Sequence, residues 1–173
     1  MYQRISGPWC MRLHASTVKL GDRIVIFTGD SGVGKTTLYN LLSKKGFVPL
    51  GDELAVVVLD NDGCWKLHRA GTTVDDGLHF KILDSLEKID LLIFPEKHLQ
   101  EGYAFRPCPP IKAAQILFHT GFPRVDDFKT GIVDVFRAGC SLARNVRSFS
   151  LDFALNTDFL PELLEKAEET RVK

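Results

Sequence analysis

The sequence predicts an α/β fold, and three observations in immediate succession predict it. Arg23-Ile24-Val25-Ile26-Phe27-Thr28 is a nearly continuous apolar run rich in β-branched residues, the pattern of a strand covered on both faces. Gly29-Asp30-Ser31-Gly32-Val33-Gly34-Lys35-Thr36 follows it directly and is dense in glycine. Residues 35–45 then place Leu38, Leu41 and Leu42 at helical spacing. Gly46 comes after two lysines and makes a fitting helix end, since glycine accepts the left-handed conformation and cations favour the negative end of the helix dipole.

The remaining elements follow from pattern and punctuation. Residues 11–19 read as a short strand carrying His14, closed by a turn at Gly21-Asp22. Residues 47–50 and 54–59 read as strands around Gly51-Asp52-Glu53, and Asp60-Asn61-Asp62-Gly63 turns the chain back into residues 64–68 as a β-hairpin. Residues 89–94 form another apolar strand, stopped by Pro95. Arg106-Pro107-Cys108-Pro109-Pro110 is a stiff connection, because its three prolines cannot join a ladder. Residues 111–119 fit helix and strand equally. Residues 126–144 carry helical spacing interrupted near Gly139, and residues 146–153 read as a late strand. Residues 156–158 offer caps for a final amphipathic helix through about Thr170, with Phe159, Leu160, Leu163 and Leu164 as its apolar stripe. There is no repeat, linker or low-complexity tract, and 173 residues suit one domain, so a single domain over 1–173 is expected.

Composition narrows the partners. Twenty-two Lys and Arg balance twenty-two Asp and Glu, so no overall positive field draws the chain to nucleic acid or an anionic membrane, and neither partner is expected. No stretch reaches the roughly 18 apolar residues of a membrane span, and the first residues lack a continuous apolar signal region. A cytoplasmic location is the expectation. Cys10, Cys64, Cys108 and Cys140 are scattered, without C-x-x-C or zinc-ligand spacing, and read as buried reduced thiols.

The glycine-rich segment satisfies G-x-x-x-x-G-K-[ST] in full, between a predicted buried strand and a predicted helix. Gly29, Gly32 and Gly34 let successive backbone N–H groups turn inward with no Cβ in the way of a phosphate, and the helix N-terminus adds its positive end. Lys35 is expected to neutralise the β- and γ-phosphates and the Thr36 hydroxyl to ligate magnesium. Asp52 and Glu53 lie some sixteen residues further on, at a strand end. One acid can bind the metal while the other takes the proton of an attacking hydroxyl, provided a bend brings both to one side, because neighbours on a strand face opposite ways. A polar turn between two strands is the competing reading of the pair.

Leu13-His14-Ala15-Ser16, the phosphate loop, and Gly46-Phe47-Val48-Pro49-Leu50-Gly51-Asp52-Glu53 together resemble, in order and spacing, the catalytic domain of the HPr serine kinase/phosphorylase family and its shorter HPr-kinase-like relatives. The resemblance covers about residues 11–59. It implies a P-loop fold of the type shared with ATP-dependent phosphoenolpyruvate carboxykinases, a mixed β-sheet core with flanking helices. It further implies transfer from ATP, with magnesium, to a serine of a protein or peptide, and a homo-oligomer. By position, Asp52 matches the first acid of the family's pair and assists the metal, Glu53 matches the base, and His14 matches a histidine near acids and phosphate. Gly29 through Thr37, with Asp30, Ser31 and Val33 among them, match the nucleotide loop. Thr36-Thr37 stands where the family has Ser-Glu, and the family's HPr-docking segment has no visible counterpart. A nucleotide-binding regulatory or adaptor protein with little phosphoryl transfer is the alternative.

Overall fold

The computed structural model describes residues 9–74, 77–98, 101–122, 131–155 and 158–169. In chain order the elements are β1 (Cys10–Leu20), β2 (Arg23–Thr28), α1 (Lys35–Lys44), β3 (Val48–Gly51), β4 (Leu54–Leu59), β5 (Trp65–Val74), β6 (Gly77–His98), β7 (Tyr103–Pro107), α2 (Pro110–Thr120), β8 (Gly121–Phe122), α3 (Gly131–Asn145), β9 (Arg147–Phe153) and α4 (Leu160–Glu168). The strands make one mixed sheet in the order β2-β1-β4-β5-β6-β9-β7, with β3 and β8 paired to β1 and an additional β2–β6 pairing.

Two long strands change ladders along their length. Residues 15–20 of β1 run antiparallel to β2, whereas residues 10–14 run antiparallel to β4. The first half of β6 is antiparallel to β5, and its second half is parallel to both β2 and β9. At the changeover Asp90 is the extra residue of a bulge, since Ile24 faces Ile89 and Val25 faces Leu91. Its side chain replaces the missing ladder acceptor: the Ile24 N–H donates to Asp90 Oδ2 at 2.9 Å, and Arg23 Nη1 donates to Oδ1 at 3.2 Å.

The sheet is covered on both faces, which is why β2 is buried at every position. Ile24 and Ile26 join a core with Met11, Leu13, Trp65, Leu117 and Leu142, under α2 and α3. Val25 and Phe27 point the other way, into a core with Leu38, Leu42, Phe159 and Leu163, under α1 and α4. Each such Leu, Ile or Phe contributes roughly 1.5–3 kcal/mol by leaving water. Helix α1 stops in a Schellman arrangement: Gly46 has φ +89°, its N–H donates to the Ser43 carbonyl at 3.0 Å, and the Phe47 N–H reaches the Leu42 carbonyl at 3.2 Å.

Several expectations are corrected. Pro95 does not stop its strand; β6 continues to His98, with Pro95 opposite Leu151 in the β9 ladder. Arg106 and Pro107 belong to β7 rather than to a loop, and Pro107 is tolerated because it ends a strand at the sheet edge. Residues 111–119 are helical, opened by Pro110 at the first turn, where a missing N–H costs nothing. Gly139 does not interrupt α3, because its bare Cα faces the Leu117 Cβ and the Ala114 carbonyl of α2. The N-cap of α4 is Phe159, without a side-chain cap, and the Asp158 carboxylate just before it accepts from the Leu160 N–H at 3.3 Å. Asn156, the first of the predicted cap residues, lies outside the described residues. All four cysteines are free, yet only Cys108 is buried. Among the described residues no helix is long and apolar enough to cross a membrane.

Candidate active site

The phosphate loop leaves the end of β2 with Gly29, Gly32 and Gly34 all at positive φ, +152°, +81° and +100°. These angles strain any other residue, so the glycines are needed for the path of the loop as well as for its open inner surface. Gly34 is the N-cap of α1, and the Leu38 N–H closes the first helical turn onto its carbonyl at 2.9 Å. No side chain caps this helix and no acid stands in its first turn. The early N–H groups therefore keep their positive potential for an anion. Asp30, Ser31, Thr36 and Thr37 are exposed, while Val33 is half-buried.

Lys35 is 7% exposed and folds back over the loop, where its ammonium donates to the carbonyls of Gly29 at 2.9 Å and Asp30 at 2.7 Å. Burial pushes its pKa below the ordinary lysine value, and the charges of Asp30, Glu53 and Asp52 act against that. The loop lysine thus sits within the field of both members of the acid pair.

Asp52 and Glu53 occupy the bend between β3 and β4, and their N–H groups both donate to the Gly71 carbonyl, at 3.0 and 2.9 Å. This is the departure from strand geometry that two adjacent acids need in order to serve one site. Gly51 makes it possible by close approach: a Cβ there would lie 2.6 Å from the Gly71 nitrogen and 2.8 Å from the Ala70 Cβ. β1 runs between the bend and the loop, and the Ala15 N–H donates to the Glu53 carbonyl at 3.3 Å. On the same face of β1, His14 Nε2 lies 3.4 Å from Glu53 Oε2, with both side chains partly open to solvent. Two residues on, Ser16 is buried and its hydroxyl donates to Asp52 Oδ1.

The structure therefore brings Lys35, Asp52, Glu53 and His14 together around the loop that carries Thr36 and Thr37. Ser16 is a site residue that motif reading passed over, although it shares the parity of His14 on a strand. Among the arginines, Arg106 pairs with Asp152 and Glu96, Arg147 pairs with Glu169, and Arg124 lies outside the described residues. Arg137 and Arg144 are exposed on α3.

No family model matches this chain. No curated protein matches it either. Among solved structures, the chain is similar to the Hpr(Ser) kinase/phosphatase from Coxiella burnetii, with a TM-score of 0.42 and 11% identity over 90% of this chain and 86% of that one.

Proposed function

We propose that this chain is an ATP- and magnesium-dependent phosphotransferase that moves the γ-phosphoryl group to a hydroxyl, the acceptor being a serine of a protein or peptide. The observation that carries the reading is the convergence of Lys35 with Asp52 and Glu53 at an uncapped, glycine-lined helix start. A phosphate cradle alone only binds; a cradle with a carboxylate free to take a proton can also transfer. The choice of a serine rests on the resemblance of residues 11–59 to HPr-kinase-like proteins.

In this reading the loop N–H groups and Lys35 hold the β- and γ-phosphates, with Lys35 exchanging its two loop carbonyls for phosphate oxygens. Glu53 accepts the acceptor's hydroxyl proton as the new O–P bond forms and the bond from γ-phosphorus to the bridging oxygen breaks, releasing ADP. His14, beside Glu53, holds that carboxylate and offers a route for the proton to solvent. The Thr36 hydroxyl and the Asp52 carboxylate are hard oxygen donors of the kind magnesium takes. Among the described residues no three His, Cys, Asp or Glu side chains gather into a cage, which fits an ion shared with substrate phosphates and water. When bound, magnesium supplies charge neutralisation on the phosphate oxygens.

The test is transfer from γ-labelled ATP into a soluble lysate of the source cell. Parent protein is expected to label a serine-containing acceptor; Glu53→Gln is expected to lose transfer while still binding ADP, and Lys35→Ala to lose both. ADP binding that depends on Lys35, with no acceptor labelled by the parent, would replace this reading with a nucleotide-dependent regulator.

A further inference from the structure

A second space opens on the phosphate loop, away from the acid pair. It is a cavity of about 540 Å³ whose one wall is Gly29 and Asp30 at the start of the loop. Its apolar lining includes Phe94, Pro95 and Ile116, and its polar lining is Glu96, Arg106 and Asp152. The volume falls within the roughly 300–1,000 Å³ of small-molecule sites, and the mixture of apolar lining with few polar groups is characteristic of them.

Topology gives the cavity a direction. β2, β6 and β9 run parallel, and the cavity lies at their carboxyl ends, the crevice in which open α/β sheets take ligands. β2 has β1 on one side and β6 on the other. Asp52 and Glu53 are reached across β1; the cavity is reached across β6. The acids and the cavity thus lie on opposite sides of β2, with the loop between them.

Charge decides what fits there. Asp30, Glu96 and Asp152 outnumber Arg106 along the lining, which disfavours a second anion and favours a ligand that donates hydrogen bonds. Arg106 spans the two inner carboxylates, with Nη2 at 2.7 Å from Asp152 Oδ2 and 3.1 Å from Glu96 Oε2. Ser150 Oγ donates to Glu96 Oε1 at 2.7 Å, and Lys112 binds the same oxygen. Both carboxylates are thereby held in place on the cavity wall as hydrogen-bond acceptors.

We propose that this cavity is the nucleoside pocket of the site. The base packs on the apolar lining of Phe94, Pro95 and Ile116, and ribose hydroxyls or an exocyclic amine donate to Glu96 and Asp152. The inference rests on the phosphotransferase reading and adds the residues that tell a nucleotide from bare polyphosphate.

Two probes separate pocket from loop. ADP is expected to bind at least about tenfold more weakly, about 1.4 kcal/mol, to Ile116→Trp, which fills the cavity, while inorganic tripolyphosphate binds within about twofold of the parent. Asp152→Asn, which keeps the shape, is expected to show the same selective loss at smaller size. Photolabelling the parent with 8-azido-ATP is expected to mark peptides within residues 94–118. Label confined to residues 36–60, or ADP affinity unchanged in both variants, overturns the pocket. So does a raised acceptor KM in Ile116→Trp with ADP affinity intact, which would make the cavity the acceptor site. If Ile116→Trp loses tripolyphosphate as well, the label position in the parent decides. Tripolyphosphate binding indifferent to Lys35→Ala would instead sink the phosphate-loop reading itself.

Discussion

Ser16 and Asp52 are thirty-six residues apart in sequence, and in the fold the Ser16 hydroxyl donates to Asp52 Oδ1 at 2.5 Å. Ser16 is 1% exposed and anchored in the middle of β1, so it fixes one oxygen of a carboxylate carried on a bend. That bond holds the Asp52 carboxylate at the bend beside the phosphate loop. Hydrogen bonds to charged groups contribute roughly 1.5–3 kcal/mol, which is large for a group that must stay in register with a phosphate.

Ser16→Ala is therefore expected to lower kcat by about tenfold to a hundredfold and to raise the magnesium concentration needed for half-maximal rate, with ADP affinity nearly unchanged. Ser16→Thr, which keeps the hydroxyl, is expected to recover most of the rate. A magnesium titration of transfer checks this; an unshifted magnesium midpoint in Ser16→Ala removes the positioning role.

Asp90 makes a separable prediction about stability. Its carboxylate fills the bulge between β2 and β6 and neutralises Arg23, and the two side chains are 7% and 10% exposed. Asp90→Ala leaves the Arg23 guanidinium with Asp22 alone, 3.4 Å from Nε, and the buried Ile24 N–H without its acceptor, so a loss of about 1–3 kcal/mol in urea unfolding is expected. A loss under about 1 kcal/mol would mean that water replaces the carboxylate.

Lys35 predicts the pH response of binding. In the free protein burial depresses its pKa below 10.5, and a bound polyphosphate restores the preference for the charged form. Binding therefore takes up protons, so tripolyphosphate affinity is full at pH below the depressed value and falls as pH rises through it. The same depression makes the unliganded protein gain stability as pH rises from the depressed value toward 10.5, because the unfolded chain then holds more protons. Affinity that stays flat up to pH 10.5 would show that Lys35 is not desolvated in solution. Isothermal titration across that range reads the slope directly.

The local half of the site was legible because its causes are local. The loop needs glycines at Gly29, Gly32 and Gly34, the strand before it needs an apolar run, and the helix after it needs its leucine spacing. Asp52 and Glu53 could be read from their place at a strand end only as one of two alternatives, beside a polar turn, and His14 only through family resemblance, since the approach of all three to the loop depends on β1 lying between β2 and the bend. The cavity lining beyond the loop was not legible: Glu96, Arg106 and Asp152 come from three strands whose adjacency is a matter of topology. Pro95 actively misled, because a proline in a parallel ladder is a rare allowance that hydropathy cannot signal.

Gly51 joins the stability and the chemistry of the bend. Its Cα passes so close to β5 that an added methyl would lie 2.6 Å from the Gly71 nitrogen and 2.9 Å from the Ala70 carbonyl carbon, which are backbone atoms with no rotamer to yield. Gly51→Ala must therefore push the bend away from Gly71, loosening the two hydrogen bonds that hold the Asp52 and Glu53 N–H groups on one carbonyl. A destabilisation of about 1–3 kcal/mol is expected from overpacking. Displacing the acids by even about an ångström is expected to cost on the order of a hundredfold in transfer. The loop itself is untouched, so ADP affinity in the folded fraction should match the parent. Transfer kinetics measured beside ADP titration distinguish the outcomes: loss of rate with intact binding assigns Gly51 to the placement of the acids, and intact rate in the folded variant would mean that the bend moves freely and that neither acid is held in place by it.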